Sequence, residues 1–186
     1  MNETINTILK RRSIRNYKQQ QISKEDLNTL LEAGQYAPSA VNEQPWHFTI
    51  VQNKQMLGKL NQACKDIMAK SKDPQMAKSG TDANFCIFYN APTLIIISGD
   101  TKTIAPQIDC ALAMENMFLA GESLNIGSCW IHGIYNFLLS EGGKQLKKEL
   151  QIPEGFNVCA VAGFGYKAGE IPEAAERKAG TVTILQ

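Results

Sequence analysis

The sequence predicts an α+β fold, a central mixed sheet flanked by helices. Three observations carry that prediction. The run Thr93–Ser98 is continuous, mostly apolar and rich in β-branched residues, the pattern of a strand covered on both faces. Segments with apolar residues at helical spacing alternate with such strand-like runs along the chain. The segment from Pro106 to Asn125 reads as one long helix that is apolar on nearly every side. That helix and a strand-like end, Thr181–Leu185, with no partner in its own neighbourhood predict an interlocked homodimer with C-terminal strand exchange.

A first short helix reads from Glu3 to about Lys10, with Ile5, Ile8 and Leu9 on one side. Ser23-Lys24-Glu25-Asp26 resembles a capping box, after which Leu27, Leu30, Leu31 and Gly34 recur at helical spacing until Pro38 ends the run. His47–Gln52 alternates as a strand through Phe48 and Ile50. Leu57, Leu60, Cys64, Ile67 and Met68 mark an amphipathic helix, closed by Lys72-Asp73-Pro74. Pro106 suits a first helical position and Gly127 lies just past the end of the long helix it opens. Ser128–His132 and Phe156–Phe164 read as two more strands, with a helix near Gly143–Leu150 between them. Beyond Ala168 the chain is loop-like until Thr181. A helix of roughly 30 Å, at about 1.5 Å per residue, is hard to enclose in one small domain, so a partner chain is expected against it.

The 186 residues predict a single domain spanning 1–186. A composition of 44% hydrophobic and 20% charged residues excludes disorder. A net charge of +1, from 19 Lys and Arg against 18 Asp and Glu, disfavours a surface built for nucleic acid or anionic lipid. No run approaches the roughly 18 apolar residues of a membrane span. The first residues lack a basic and then apolar pattern, so a cytoplasmic protein is expected. Five cysteines, no two closer than 19 residues, form no CxxC, and with two histidines no metal site is expected. The thiols read as buried, and His47 as structural.

Chemistry is concentrated in three places. Lys10-Arg11-Arg12-Ser13-Ile14-Arg15-Asn16-Tyr17-Lys18 places five cations in nine residues. Guanidinium forks and a hydroxyl match phosphate oxygens, and residues 11, 13 and 15 point one way in extended chain; a solvated basic stretch or nucleic-acid patch is the competing reading. Ala37-Pro38-Ser39-Ala40-Val41-Asn42-Glu43-Gln44-Pro45-Trp46 is pinned by two prolines, with small residues that admit a ligand and two amides suited to a heterocycle's edge. Gly163-Phe164-Gly165-Tyr166 follows a strand, but Ala168 replaces the third glycine of a dinucleotide fingerprint.

In this order and spacing, Arg-Arg-Ser-Ile-Arg-Asn-Tyr after a first helix, Ala-Pro-Ser-Ala-Val-Asn-Glu-Gln-Pro-Trp, Ala91-Pro92 before an apolar strand, Gly127-Ser128-Cys129-Trp130-Ile131, Gly163-Phe164-Gly165-Tyr166 and a late arginine resemble the nitroreductase family. The resemblance covers nearly the whole chain. It implies an FMN-dependent enzyme that takes hydride from NAD(P)H at flavin N5 and reduces nitroaromatics, quinones or similar acceptors by ping-pong turnover, with no catalytic side chain of its own. It also implies a homodimer with two FMN sites at the subunit interface. By position, Arg11, Arg12, Ser13 and Arg15 would hold the phosphate and ribityl chain, one arginine being available to the pyrimidine edge. Pro38, Ser39, Ala40 and Asn42 would approach from the other subunit. Asn84 would lie near the flavin ring; Ile131, His132 and Gly133 would bring backbone amides toward N5; Arg177 would be the late phosphate arginine.

Two departures accompany the likeness. Lysines common in the family are replaced by Ala175 and Ile87, leaving Lys178 as an alternative cation, and His132 stands where others carry glutamate or glycine. A chain this short has little length for a substrate lid, which predicts an open acceptor site. The competing readings are a specialised member (a dehalogenase or a flavin-consuming enzyme), a non-catalytic flavin-binding protein, and a basic nucleic-acid module on residues 10–18.

Overall fold

The run that reads as a doubly covered strand is the middle of the sheet. The computed structural model describes residues 1–186. Helices α1 (Glu3–Lys10), α2 (Lys24–Gln35), α3 (Lys54–Met68), α4 (Pro74–Thr81), α5 (Pro106–Ser123), α6 (His132–Leu139) and α7 (Lys144–Glu149) surround strands β1 (Trp46–Val51), β2 (Thr93–Asp100), β3 (Ile126–Trp130) and β4 (Phe156–Tyr166). The strands lie in the order β1-β2-β4-β3, and every pair is antiparallel.

Successive side chains of β2 go to opposite faces, as a strand requires. Leu94 and Ile96 join a core with Leu57, Leu60 and Cys64 of α3, Ile134 and Leu138 of α6, and Leu146 of α7. Ile95 and Ile97 join a second core with Leu30 of α2 and Met114, Met117 and Phe118 of α5. A bulge in β4 opposite Ile97 and Ser98 shifts its alternation, so that Val158 and Val161 lie in the first core and Cys159, Ala160, Ala162 and Phe164 in the second. Neither face of the central pair meets water, which accounts for its unbroken apolar sequence.

Several expectations are corrected. The sheet is antiparallel and not mixed; its one parallel element is an isolated bridge between Ser13 and Ser128. Thr181–Leu185, expected to pair with a partner chain, has no strand neighbour within its own chain and is exposed, with Val182, Ile184 and Leu185 at 77%, 74% and 92%. A lone strand cannot satisfy its backbone without a neighbour, so the β-forming sequence has no local means to express itself. Pro74 does not merely close α3: Asp73 accepts from the Gln75 and Met76 amides and starts α4, with Pro74 at the first helical position. His132 is not the end of a strand but the start of α6, a helix the sequence reading missed.

Other expectations hold. Ser23 caps α2 through the Asp26 amide. His47 lies in β1 edge-on to Phe156, a packing role. All five cysteines are free and four are buried, Cys86 being half-buried; burial alone pushes the Cys64 thiol up to about 12. α5 buries a stripe from Pro106 to Gly121 while Ile108 and Leu112 face outward, 65% and 41% exposed. That open apolar face is the one its sequence predicted. No helix is long and apolar enough to cross a membrane.

Candidate functional site

Residues 11–18 leave α1 in extended chain along the outer edge of β3. The Ile14 amide donates to Ser128 O and the Lys18 amide to Tyr166 O, both at 2.9 Å. Ile14 and Tyr17 point inward and are buried, so Ser13 and Arg15 face out. Gly127 makes the approach possible: a Cβ there would lie 2.8 Å from Ile14 Cβ. The Tyr17 hydroxyl donates to Ile14 O at 2.5 Å, and burial raises its phenol well above the ordinary value. The basic stretch is therefore a fixed ribbon hung on two anchors, not a solvated coil.

Its arginines are held differently. Arg11 lies 5.7 Å from the Phe118 ring centre, with Nε 3.5 Å from Glu115 on α5. Arg12 turns back, one terminal nitrogen donating to Leu9 O and Arg11 O at 2.7 Å each, which closes the end of α1. Its Nε is buried and has no partner. Arg15 stands 5.5 Å from the Tyr89 ring centre, and Tyr89 with the Cys129 thiol holds its guanidinium above the ordinary value. A groove of about 440 Å³ brings Arg15 together with Asn84, Tyr89 and Asn90.

The 82–90 segment that supplies Asn84 is pinned by α3. Asn61 brackets it, its amide nitrogen donating to Phe85 O at 3.2 Å and its oxygen accepting from the Ile87 amide at 3.0 Å. Buried Lys65 donates to Asp82 O at 2.5 Å. Ile87, where a cation was sought, packs instead on Gly133: a Cβ at 133 would lie 2.5 Å from its Cδ1. That contact sets the 84–90 segment beside the start of α6.

At that start Ile131 is buried and donates to Val161 O at 2.8 Å. No side chain caps α6, so the amides of His132, Gly133 and Ile134 lack intrahelical partners. The His132 ring is exposed and stacks on Tyr135, centres 5.2 Å apart. Arg11, Arg12, Ser13, Arg15, Asn84, Ile131, His132 and Gly133 thus belong to one neighbourhood linked through β3 and Ile87.

Two predicted groups stand apart. The loop with Pro38, Ser39, Ala40 and Asn42 is tied to the start of α5 and makes no hydrogen bond to residues 11–15. Gln44 Nε2 donates to Asn42 Oδ1 at 3.0 Å, which engages one end of each amide and leaves Asn42 Nδ2 and Gln44 Oε1 for a ligand. Arg177 is exposed in the tail and forms no ion pair. A larger groove, about 920 Å³, lies between α7 and the start of β4. Its walls are mainly lysine, glutamate and glycine, and it holds none of these residues. Sequence reasoning missed Tyr89, Asn61, Lys65 and Asp109. A charged residue on an otherwise apolar helical stripe was the available signal for the last two.

The structure thus sets a cationic ribbon and free helix-start amides on one side of an antiparallel α+β sheet, an arrangement suited to an anionic ligand. The chain belongs to the Nitroreductase family, which it matches over residues 8–166. A Bacteroides fragilis nitroreductase crystallised with bound FMN is 42% identical, with a TM-score of 0.92 over 100% of both chains. An Archaeoglobus fulgidus protein provisionally named NADH dehydrogenase/NAD(P)H nitroreductase is 37% identical over 91% of this chain and 88% of its own length. The Bacillus subtilis FMN reductase (NADPH) is 30% identical over 74% of this chain and 57% of its own length.

Proposed function

We propose that this protein is an NAD(P)H-dependent FMN oxidoreductase that works as a homodimer with FMN at the subunit interface, reducing nitroaromatic, quinone or similar acceptors. The observation that carries the reading is the buried, unpartnered Nε of Arg12 inside an ordered arginine ribbon. A buried N–H of a permanent cation is costly to leave unpaired, and a phosphate oxygen satisfies both its charge and its hydrogen bond. The residues present therefore fit FMN. Arg11, Arg12 and Ser13 would hold the phosphate, and Arg15 and Asn84 the ring system. The free amides at 132–134 would meet its N5 side.

FMN, when bound, would supply the hydride-transfer chemistry between a nicotinamide donor and the acceptor that follows it. The chain supplies position and field. Arg15, held beside Tyr89, would offer its guanidinium to negative charge at the pyrimidine edge of FMN. Helix α6 would direct its positive end at the N5 side.

A second copy accounts for what one chain leaves open. Ile5, Ile8 and Leu9 of α1, Ile108 and Leu112 of α5, and Tyr36 and Val41 beside the 38–42 loop are large exposed apolar groups. Strand β1 is an edge with unpaired outer backbone groups, whereas β3 is partly covered by Ser13. The partner's Thr181–Leu185 would add to β1, and ordering the tail in this way would give Arg177 or Lys178 a phosphate to meet.

The test is the visible spectrum of the protein with FMN, followed anaerobically by NADH and then NADPH, with light scattering on the same sample. A flavin band that bleaches, with a mass of two 20.5 kDa chains, is expected. A band that resists both donors overturns the reductase in favour of a flavin-binding protein. No band with added FMN overturns the site.

A further inference from the structure

Asp109 is the chain's one buried acidic residue, 3% exposed in the first turn of α5, and it forms no ion pair. Both its carboxyl oxygens face a single donor, the Ala40 amide, at 3.3 and 3.2 Å. That amide opens a loop of unusual backbone. Val41, Asn42 and Gln44 all lie in the left-handed region, at φ 42°, 58° and 47°. L-residues resist this region and a β-branched valine resists it most. The Val41 side chain cannot compensate, being 81% exposed. Within the loop Gln44 binds Ser39 and Asn42. Two acidic side chains tie the loop to the rest of the fold: Glu43, which accepts from the exposed Ile104 amide, and Asp109, which does so from the interior.

We infer that Asp109 is a positioning residue, holding the 39–44 loop in its strained shape so that Ser39, Ala40 and Asn42 are presented ready-made to the flavin of the partner subunit. The inference rests on the reading that this loop reaches FMN. A buried acceptor suits the task because its bond to one amide is not shared with water, and a carboxyl group near a helix N-terminus is favourably placed. A loop already in its bound shape loses little freedom on binding, so the bond acts through cofactor affinity although Asp109 touches no cofactor.

The experiment compares Asp109→Leu and Asp109→Ala with Asp109→Asn, whose amide oxygen still accepts from Ala40. Hydrogen exchange at residues 40–44 is measured in the FMN-free protein, the Kd for FMN by fluorescence titration, and the bound flavin by visible circular dichroism. Whichever of the Leu and Ala variants folds is expected to exchange faster at Ala40 and to bind FMN about tenfold more weakly with an altered flavin signal, while Asp109→Asn stays close to the parent. Unchanged exchange in the Leu and Ala variants overturns the inference, as does an Asn variant as impaired as they are. Asn42→Ala separates the underlying reading. If it weakens FMN binding while a loosened Asp109→Leu loop does not, the loop reaches flavin but Asp109 does not position it. If neither variant alters the Kd, the loop does not reach flavin and the inference falls with that reading.

Discussion

Arg12→Lys is expected to weaken FMN binding about 10- to 100-fold while leaving the fold in place. The parent guanidinium does two jobs at once. One terminal nitrogen closes α1 by donating to Leu9 O and Arg11 O, and Nε remains buried with a hydrogen to give. A fork with donors in fixed directions can do both; an ammonium is one compact centre and must choose. Loss of one charge-assisted hydrogen bond costs about 1.5–3 kcal/mol, which corresponds to the stated range. Fluorescence titration of the apoprotein measures it, with thermal unfolding of the same apoprotein as control. An unchanged Kd would remove Arg12 from the phosphate site. Inorganic phosphate should compete with FMN in the parent and compete less well in the variant, which separates the phosphate contact from any effect on the ring.

Asn61→Leu is expected to lower stability and FMN affinity together. Its amide is the only side chain bracketing residues 85–87, giving a hydrogen to Phe85 O and taking one from the Ile87 amide. Leucine has similar volume and leaves both half-buried backbone groups unpaired, at about 1–2 kcal/mol each. For a chain of this size the sum corresponds to a fall in Tm of about 4–16 °C. The loosened segment carries Asn84, lies against Arg15 through Tyr89, and packs on Gly133 through Ile87. A weaker flavin complex should therefore follow, most visibly as a higher Kd measured well below the new Tm. A Tm drop with unchanged Kd would make Asn61 a structural residue alone.

How much was legible follows from the range of each signal. Helical spacing of Leu27, Leu30 and Leu31 behind the Ser23 cap is a local record of which face is buried, and it placed the start of α2, which ends at Gln35 before reaching Pro38. α3 and β2 are legible in the same way, with β2's covering on both faces written in Thr93–Ser98, although α3 starts at Lys54 and ends at Met68, short of Lys72-Asp73-Pro74, and β2 runs on to Asp100. The arginine ribbon was legible because charge density needs no fold to be seen. By contrast α6 was hidden. Its start at His132 has no capping side chain, so nothing in the residues separates a strand's end from a helix's beginning. The 38–44 loop was read as two free amides, yet Asn42 and Gln44 bond to each other, a pairing set by left-handed backbone that composition does not display.

The sequence by itself determined the elements with strong periodicity, the apolar face α5 leaves open, and the cationic chemistry of residues 11–15. Only the tertiary structure decided that β1 pairs with β2 and β3 with β4, all antiparallel, and that Asn61, Lys65 and Asp109 reach across to fix segments far from them in sequence. The physical reason is range. Periodicity records each residue's own exposure, whereas strand order and buried polar ties are bargains between distant residues, made where an unpaired N–H or C=O must find a partner once water is excluded.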